Sequence, residues 1–311
     1  MSAYILRSLV KNNTAVSIVK AKRRPLIYGE IRLKIALAGI CRTDILVANN
    51  KIPSSNKVIL GHEVCGVIVD KYDGCSIPIN SHATVMPFSG CGKCQQCTNK
   101  RYELCKSSKM MGLDIDGVFA DEIVVHESKI KLLPKNINMK LAAMVEPIAA
   151  VLAVKKAINK NQRGLILGDN RIATLTKRVL HAAGYDKVEL EAESAKKQDD
   201  YDFVVETDPT DALLQRATSA VKVGGTIVLK SRSSVQVSLP LITLIEKEVT
   251  LKAVRYASFE DAIELLPKLN LEDIFGSVFP LEDFTEAFFL SSSNESRKHY
   301  FLLGGDDVWN S

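Results

Sequence analysis

The sequence predicts an α/β protein of two unlike parts, an antiparallel, barrel-like β-domain followed by a parallel-sheet domain. Two observations carry this. Up to about residue 147, short β-branched runs are broken by Gly, Pro, Asn and Ser; from about residue 148, apolar strands alternate with amphipathic helices. The chain has 311 residues, 46% of them apolar and 25% charged, which is enough for two hydrophobic cores.

In the first part the strand candidates are YILRSLV, AVSIV, EIRLKIALAG, EVCGVIVD, HATVMPF, EIVVH and KIKLLP. Their brevity and the turn residues between them suit an antiparallel barrel. In the second part helix AAVLAVKKAI precedes strand GLILG, helix ATLTKRVLHAAG, strands KVELEA and DFVVET, helix DALLQRATSAV and strand GGTIVLK. Runs such as LIL, FVV and TIVL are apolar throughout, as strands covered by helices on both faces must be, so this part reads as a Rossmann-type domain. The last stretch offers helix SFEDAIELLPKL, strand SVFPL, helix EDFTEAFFL and strand HYFLL, with SSSNESRK as a surface turn.

Forty-one basic and 36 acidic residues give a net charge of +5, spread along the chain without a basic tail or an aromatic-basic stripe. Nucleic acid is not the expected partner. No apolar run approaches the roughly 20 residues that span a bilayer, and MSAYILRSLVKNNTAV lacks the features of a signal peptide, so a cytoplasmic location is expected. A reducing compartment directs the seven cysteines toward metal or catalysis rather than disulfides.

Four of them, Cys91, Cys94, Cys97 and Cys105, follow one another at intervals of three, three and eight residues in GCGKCQQCTNKRYELC. A loop of that length folds back to place four thiolates around one zinc ion, closing its shell, so the site would be structural. An iron–sulfur cluster is the minor alternative. A second set is dispersed: Cys41, Arg42, Thr43 and Asp44 in GICRTD, His62 and Glu63 in LGHEVCG, and Glu146 in MVEPIAAV. A thiolate, an imidazole and carboxylates suit a zinc ion with an open position, though each alone has a bland explanation in packing or solvation.

Together these segments resemble the zinc-containing branch of the medium-chain dehydrogenase/reductase superfamily, nearest to polyol, threonine and glucose dehydrogenases. GEIRLKIALAGICRTD, GHEVCGVIVD, the cysteine loop, DGVFADEIVVH, VEPIAAVLAV, VGGTIVLK and FPLEDFTEAF keep the family's order over nearly the whole chain. The resemblance implies a GroES-like catalytic domain at 1–147 and 272–311 around a nucleotide-binding domain at 148–271. It implies a catalytic zinc on Cys41, His62 and Glu146, with Glu63 a fourth or exchanging ligand, Thr43 passing on the substrate's hydroxyl proton, and two zincs per chain in all. It implies a nicotinamide cofactor, NAD or NADP, and a small-molecule alcohol or polyol as substrate. Zinc serves there as a Lewis acid in hydride transfer. Arg42 matches a position that binds pyrophosphate in some relatives, or is a solvated charge. Relatives of this kind pair as homodimers or homotetramers.

The chain also departs from the family. The loop GLILGDNRIATL keeps Gly168 at the first glycine position but carries Asn170 at the second and Ala173 at the third, with Asp169 adding negative charge. The acidic residue for the adenosine ribose falls on Ala192, or by a shift of one on Glu191; no basic residue marks NADP. Only SAKKQDD then separates Glu193 from YDFVVET, too short for the helices and strand the family places there. The Rossmann-type domain is therefore shortened. Glu189, Glu191 and Glu193 alternate with Val188, Leu190 and Ala192, as in an edge strand with one wet face, or else they begin a charged helix. The expected function is a zinc-dependent oxidoreductase of secondary alcohols or polyols. The rival is a non-catalytic homologue that keeps both zincs and has lost dinucleotide binding.

Overall fold

The computed structural model describes residues 5–194, 198–231 and 236–310, so Tyr4 and residues 195–197 of the short connector lie outside them. The strands are β1 Ile5–Asn12, β2 Ala15–Lys22, β3 Glu30–Gly39, β4 Lys57–Ile59, β5 Glu63–Lys71, β6 His82–Val85, β7 Phe88–Ser89, β8 Lys109–Met110, β9 Glu122–His126, β10 Ile130–Leu132, β11 Gly164–Leu167, β12 Val188–Leu190, β13 Tyr201–Glu206, β14 Val221–Leu229, β15 Thr250–Ala253, β16 Phe275–Pro280 and β17 Lys298–Leu302. The helices are α1 Arg42–Ala48, α2 Gln95–Thr98, α3 Met139–Ala142, α4 Val145–Leu152, α5 Arg171–Ala182, α6 Asp211–Ala220, α7 Leu241–Glu246, α8 Phe259–Leu265, α9 Phe284–Ser293 and α10 Gly305–Trp309. The chain divides into two compact units, Met1–Glu146 with Phe275–Ser311, and Pro147–Ile274.

In the first unit a sheet runs β10-β6-β5-β3-β17-β16, with β9 also pairing β3, beside a second sheet β2-β1-β4 and the ribbon β7-β8. Strand β3 is the hub, antiparallel to β5, β9 and β17. Its residues Ile31, Leu33, Ile35 and Ala38 enter a core with Leu9, Val64, Ile68, Phe119, Ile123 and Phe301. Strand β2 lies at an edge and is mostly exposed, and its lysines suit that position.

The second unit is a five-stranded parallel sheet in the order β12-β11-β13-β14-β15. Alternate residues of β11 face opposite cores. Ile166 packs with Leu180, Phe203 and Val228, whereas Leu165 and Leu167 pack with Val204, Ala217 and Leu244. Doubly wound sheets run 3-2-1-4-5-6; here β12 takes the second place and is the edge among the described residues.

Three local expectations need correction. The strand expected at KVELEA stops at Leu190, and Glu191–Glu193 form a 3-10 turn because the Glu193 carboxylate folds back to accept from the Leu190 amide at 3.2 Å. The turn expected at SSSNESRK begins late, since α9 continues to Ser293. Helix α7 and strand β15 arise where the sequence suggested no element; all four β15 residues are exposed, so no buried apolar pattern marks it.

Candidate functional site

The four-cysteine loop lies between β7 and β8. Its sulfurs all fall within 4.8 Å of one another, with Cys94 Sγ 3.6 Å from Cys97 Sγ and 3.8 Å from Cys105 Sγ. Four sulfurs at about 2.3 Å from a tetrahedral ion stand about 3.8 Å apart, whereas a disulfide needs about 2.05 Å. The spacing therefore fits a metal and not a bridge. Backbone amides prepare the charge: N–H groups of Lys93 and Cys94 lower the Cys91 thiol to about 6, and those of Cys91 and Ser107 lower Cys105. Burial raises Cys97 to about 11. The two lowered thiols, Cys91 and Cys105, favour a cation among the four sulfurs.

The second group forms where β3 ends and β5 begins. Cys41 precedes α1, and its amide donates to Asp44 Oδ2 at 2.8 Å, which fixes the first turn. Gly61, at φ +93°, turns the chain into β5, and a Cβ there would lie 2.4 Å from the Phe119 ring. That turn brings His62 and Glu63 to Cys41, with one ligand atom of each within 4.8 Å of the others. Asp44, fully buried, sets its Oδ1 3.1 Å from His62 Nδ1, an ion-pair distance without hydrogen-bond alignment, and His62 Nε2 has no hydrogen-bond partner either. A carboxylate behind one ring nitrogen and a free second nitrogen is how a metal-ligating histidine is oriented. Burial disfavours the imidazolium, but the charges of Asp44 and Cys41 outweigh it and hold the His62 pKa well above its ordinary value. The same field favours a metal cation.

Glu146 lies outside that 4.8 Å group, buried in the first turn of α4. Its charge nevertheless reaches Glu63, whose carboxyl is raised by burial and by Glu146 despite a buried ion pair with Lys298. Thr43 is half-buried in the first turn of α1. Arg42 projects outward, its side chain 63% exposed and 3.6 Å from Glu295.

In the second unit Gly168 follows β11 at φ +120°, where a Cβ would lie 2.2 Å from Thr207 Oγ1. The strand, turn and helix needed for a dinucleotide are present. The amides that would meet its phosphates are not free, however: Asn170 Oδ1 accepts from Ile172 N at 2.9 Å and Ala173 N at 3.0 Å, while its Nδ2 donates to Thr207 Oγ1 at 3.2 Å. Glu191 Oε1 accepts from Arg216 Nε at 2.8 Å, so a basic side chain from α6 stands beside the residue that the sequence offered for the ribose.

Residues 28–135 match the alcohol dehydrogenase GroES-like domain, a span that holds Cys41, His62, Glu63 and all four loop cysteines. A sorbitol dehydrogenase of Halalkalibacterium halodurans is 26% identical over 312 residues, 86% of this chain and 90% of that protein. The L-idonate 5-dehydrogenase of Escherichia coli K-12 superposes with a TM-score of 0.87 at 19% identity, over 96% of this chain and 98% of that one. A structure described as a zinc-binding dehydrogenase bound to NADP, from Sinorhizobium meliloti 1021, gives 0.86 at 20% identity over 96% and 99%. Residues 28–135 are thus similar to the GroES-like domain of alcohol dehydrogenases, and the chain shares the fold of these dehydrogenases.

Two residues beside the candidate metal centre have roles that sequence reasoning missed. Asp44 was seen only as part of GICRTD; its signal was the three-residue spacing from Cys41, which lets one carboxylate hold both the cysteine amide and the histidine ring. Lys298 gave no signal, because it stands 235 residues from Glu63 and only β17 brings it there.

Proposed function

We propose that the protein is a zinc-dependent oxidoreductase that transfers hydride between a secondary alcohol or polyol and NAD or NADP. The match of residues 28–135 to the alcohol dehydrogenase GroES-like domain and the likeness to a sorbitol dehydrogenase support this, and the convergence of Cys41, His62 and Glu63 on one point, backed by Asp44, carries it. In this reading the unit Met1–Glu146 with Phe275–Ser311 is the catalytic domain and Pro147–Ile274 the nucleotide domain. Cys41, His62 and Glu146 would hold a zinc ion, and the four-cysteine loop a second, structural one. The ion supplies Lewis acidity that makes the substrate hydroxyl a better proton donor, and a bound nicotinamide supplies the hydride acceptor. Asp44 holds the His62 ring so that Nε2 faces the metal. Thr43, half-exposed beside Cys41, takes the hydroxyl proton toward solvent.

No helix among the described residues is long and apolar enough to cross a membrane. The seven cysteines are free thiols, which suits the reducing cytoplasm to which the reading assigns the protein. The proposed assembly is a homodimer or homotetramer. One observation favours the rival, non-catalytic reading: Asn170 occupies amides that a dinucleotide needs.

Metal analysis of the purified protein, NADH and NADPH fluorescence titration and turnover on a polyol panel test the proposal. About two zincs per chain and saturable cofactor binding support it. Two zincs with no cofactor binding at millimolar concentration would leave the non-catalytic reading in its place.

A further inference from the structure

Lys298 and Glu63 are each 2% exposed at the side chain and form an ion pair at the edge of the candidate metal centre. They reach each other across the hub strand. Gly39 of β3 pairs in register with Glu63 on one side and Tyr300 of β17 on the other. A Cβ at Gly39 would lie 2.5 Å from Glu63 Oε2 and 2.8 Å from Lys298 Cε, so the missing side chain is the space in which the two groups meet.

Lysine is rarely buried this deeply, and a buried pair contributes little net stability relative to an apolar one. A structural account of Lys298 is therefore weak. Glu63, by contrast, has two partners within reach of one short side chain: the Lys298 ammonium and the metal position shared with Cys41 and His62. A carboxylate held by one is withheld from the other.

We propose that Lys298 is a positioning residue, which by pairing with Glu63 through the gap at Gly39 keeps that carboxylate off the metal and reserves a coordination position for substrate. The proposal rests on the reading that Cys41, His62 and Glu146 hold a metal ion. Without Lys298, Glu63 is a buried anion whose remaining cationic partner is the metal, and its binding there would close the shell.

The test uses the full chain with cobalt in place of zinc, since cobalt accepts the same donors and its visible bands report coordination, and azide as the exogenous ligand. Cobalt in the closed four-cysteine site does not respond to azide, so any spectral change reports the other centre. In Lys298→Met the apparent Kd for azide rises about tenfold or more, as expected when the open form falls to a tenth of molecules or fewer. Lys298→Arg restores the response, and so does the double variant Lys298→Met with Glu63→Gln, because the intruding carboxylate is gone. A Lys298→Met protein that holds both cobalts and binds azide as the parent does overturns the proposal.

Should Lys298→Met not fold, Glu63→Gln decides. An azide Kd within about twofold of the parent supports the proposal, and a tenfold tightening overturns it by making Glu63 a resident ligand. A parent protein that takes up a single cobalt, or whose bands ignore azide, fails earlier and removes the metal-centre reading itself.

Discussion

The unit that carries the cysteines and the unit built on the parallel sheet treat their polar groups in opposite ways. In the first, donor atoms are gathered and left over: sulfurs stand 3.6 and 3.8 Å apart, and His62 Nε2 is buried without a hydrogen-bond partner. In the second, groups at the C-terminal ends of the parallel strands answer one another: Asn170 caps α5, Arg216 holds Glu191, and Glu206 accepts from the amides of Lys230 and Ser231, both at 2.9 Å. Buried polar atoms without partners destabilise a fold unless a ligand arrives, so the first arrangement is one that a cation would stabilise. Groups that satisfy one another are stable alone and oblige an incoming ligand to displace them.

The largest effects should follow from removing what the first unit is built to hold. Structural zinc contributes on the order of 10 kcal/mol to the folding of small metal-bound domains. Cys97→Ser should therefore lower the zinc content by one per chain and the melting temperature by more than about 10 °C. Calorimetry with metal analysis checks this, and a protein that melts unchanged with one zinc lost would break the comparison at its firmer end. His62→Ala should remove the other zinc and leave the four-cysteine site filled. If the metal supplies about 4 kcal/mol of transition-state stabilisation, turnover falls about a thousandfold. Asp44→Asn, which weakens the support behind His62, should lower zinc affinity or turnover by about 10- to 100-fold.

The two units also differed in how far the sequence disclosed them. The cysteine loop was legible because all four ligands lie in one short segment, where spacing alone limits geometry. Cys41, His62 and Glu63 were legible only through resemblance, since strand pairing between β3 and β5 brings them together. Lys298 was not legible at all, because a lone lysine in a strand carries no period or spacing that foretells burial. In the second unit the apolar runs of β11, β13 and β14 disclosed the sheet, and the short connector after Glu193 agrees with β12 as the edge among the described residues. The sequence shows Asn170 in place of the second glycine of the loop. Its cap on the α5 amides, a stronger reason, needed the side-chain rotamer.

That cap supplies the next test. Asn170→Gly frees the amides of Ile172 and Ala173, and glycine is nearly as good an N-cap as asparagine, costing a few tenths of a kcal/mol. A phosphate that gains one charge-assisted hydrogen bond gains about 1.5 kcal/mol or more. NADH should bind about tenfold tighter to the variant, read by fluorescence titration. An unchanged Kd would show that the phosphates never meet these amides.

The smallest effect concerns the ribose end. Arg216 and Glu191 are 18% and 29% exposed at their side chains, so water already screens their pair, whose net contribution is about 0.5 kcal/mol. Arg216→Ala would release Glu191 to accept from ribose hydroxyls and should tighten NADH about twofold, the factor that 0.5 kcal/mol supports. The same change removes the cation that the described residues place on Glu191, so NADPH, with its additional phosphate, should weaken by more than NADH gains. The ratio of the two dissociation constants is therefore the sharper measurement. A ratio that does not move would mean that neither residue faces the ribose, and that the short 3-10 turn after β12 carries its charges elsewhere.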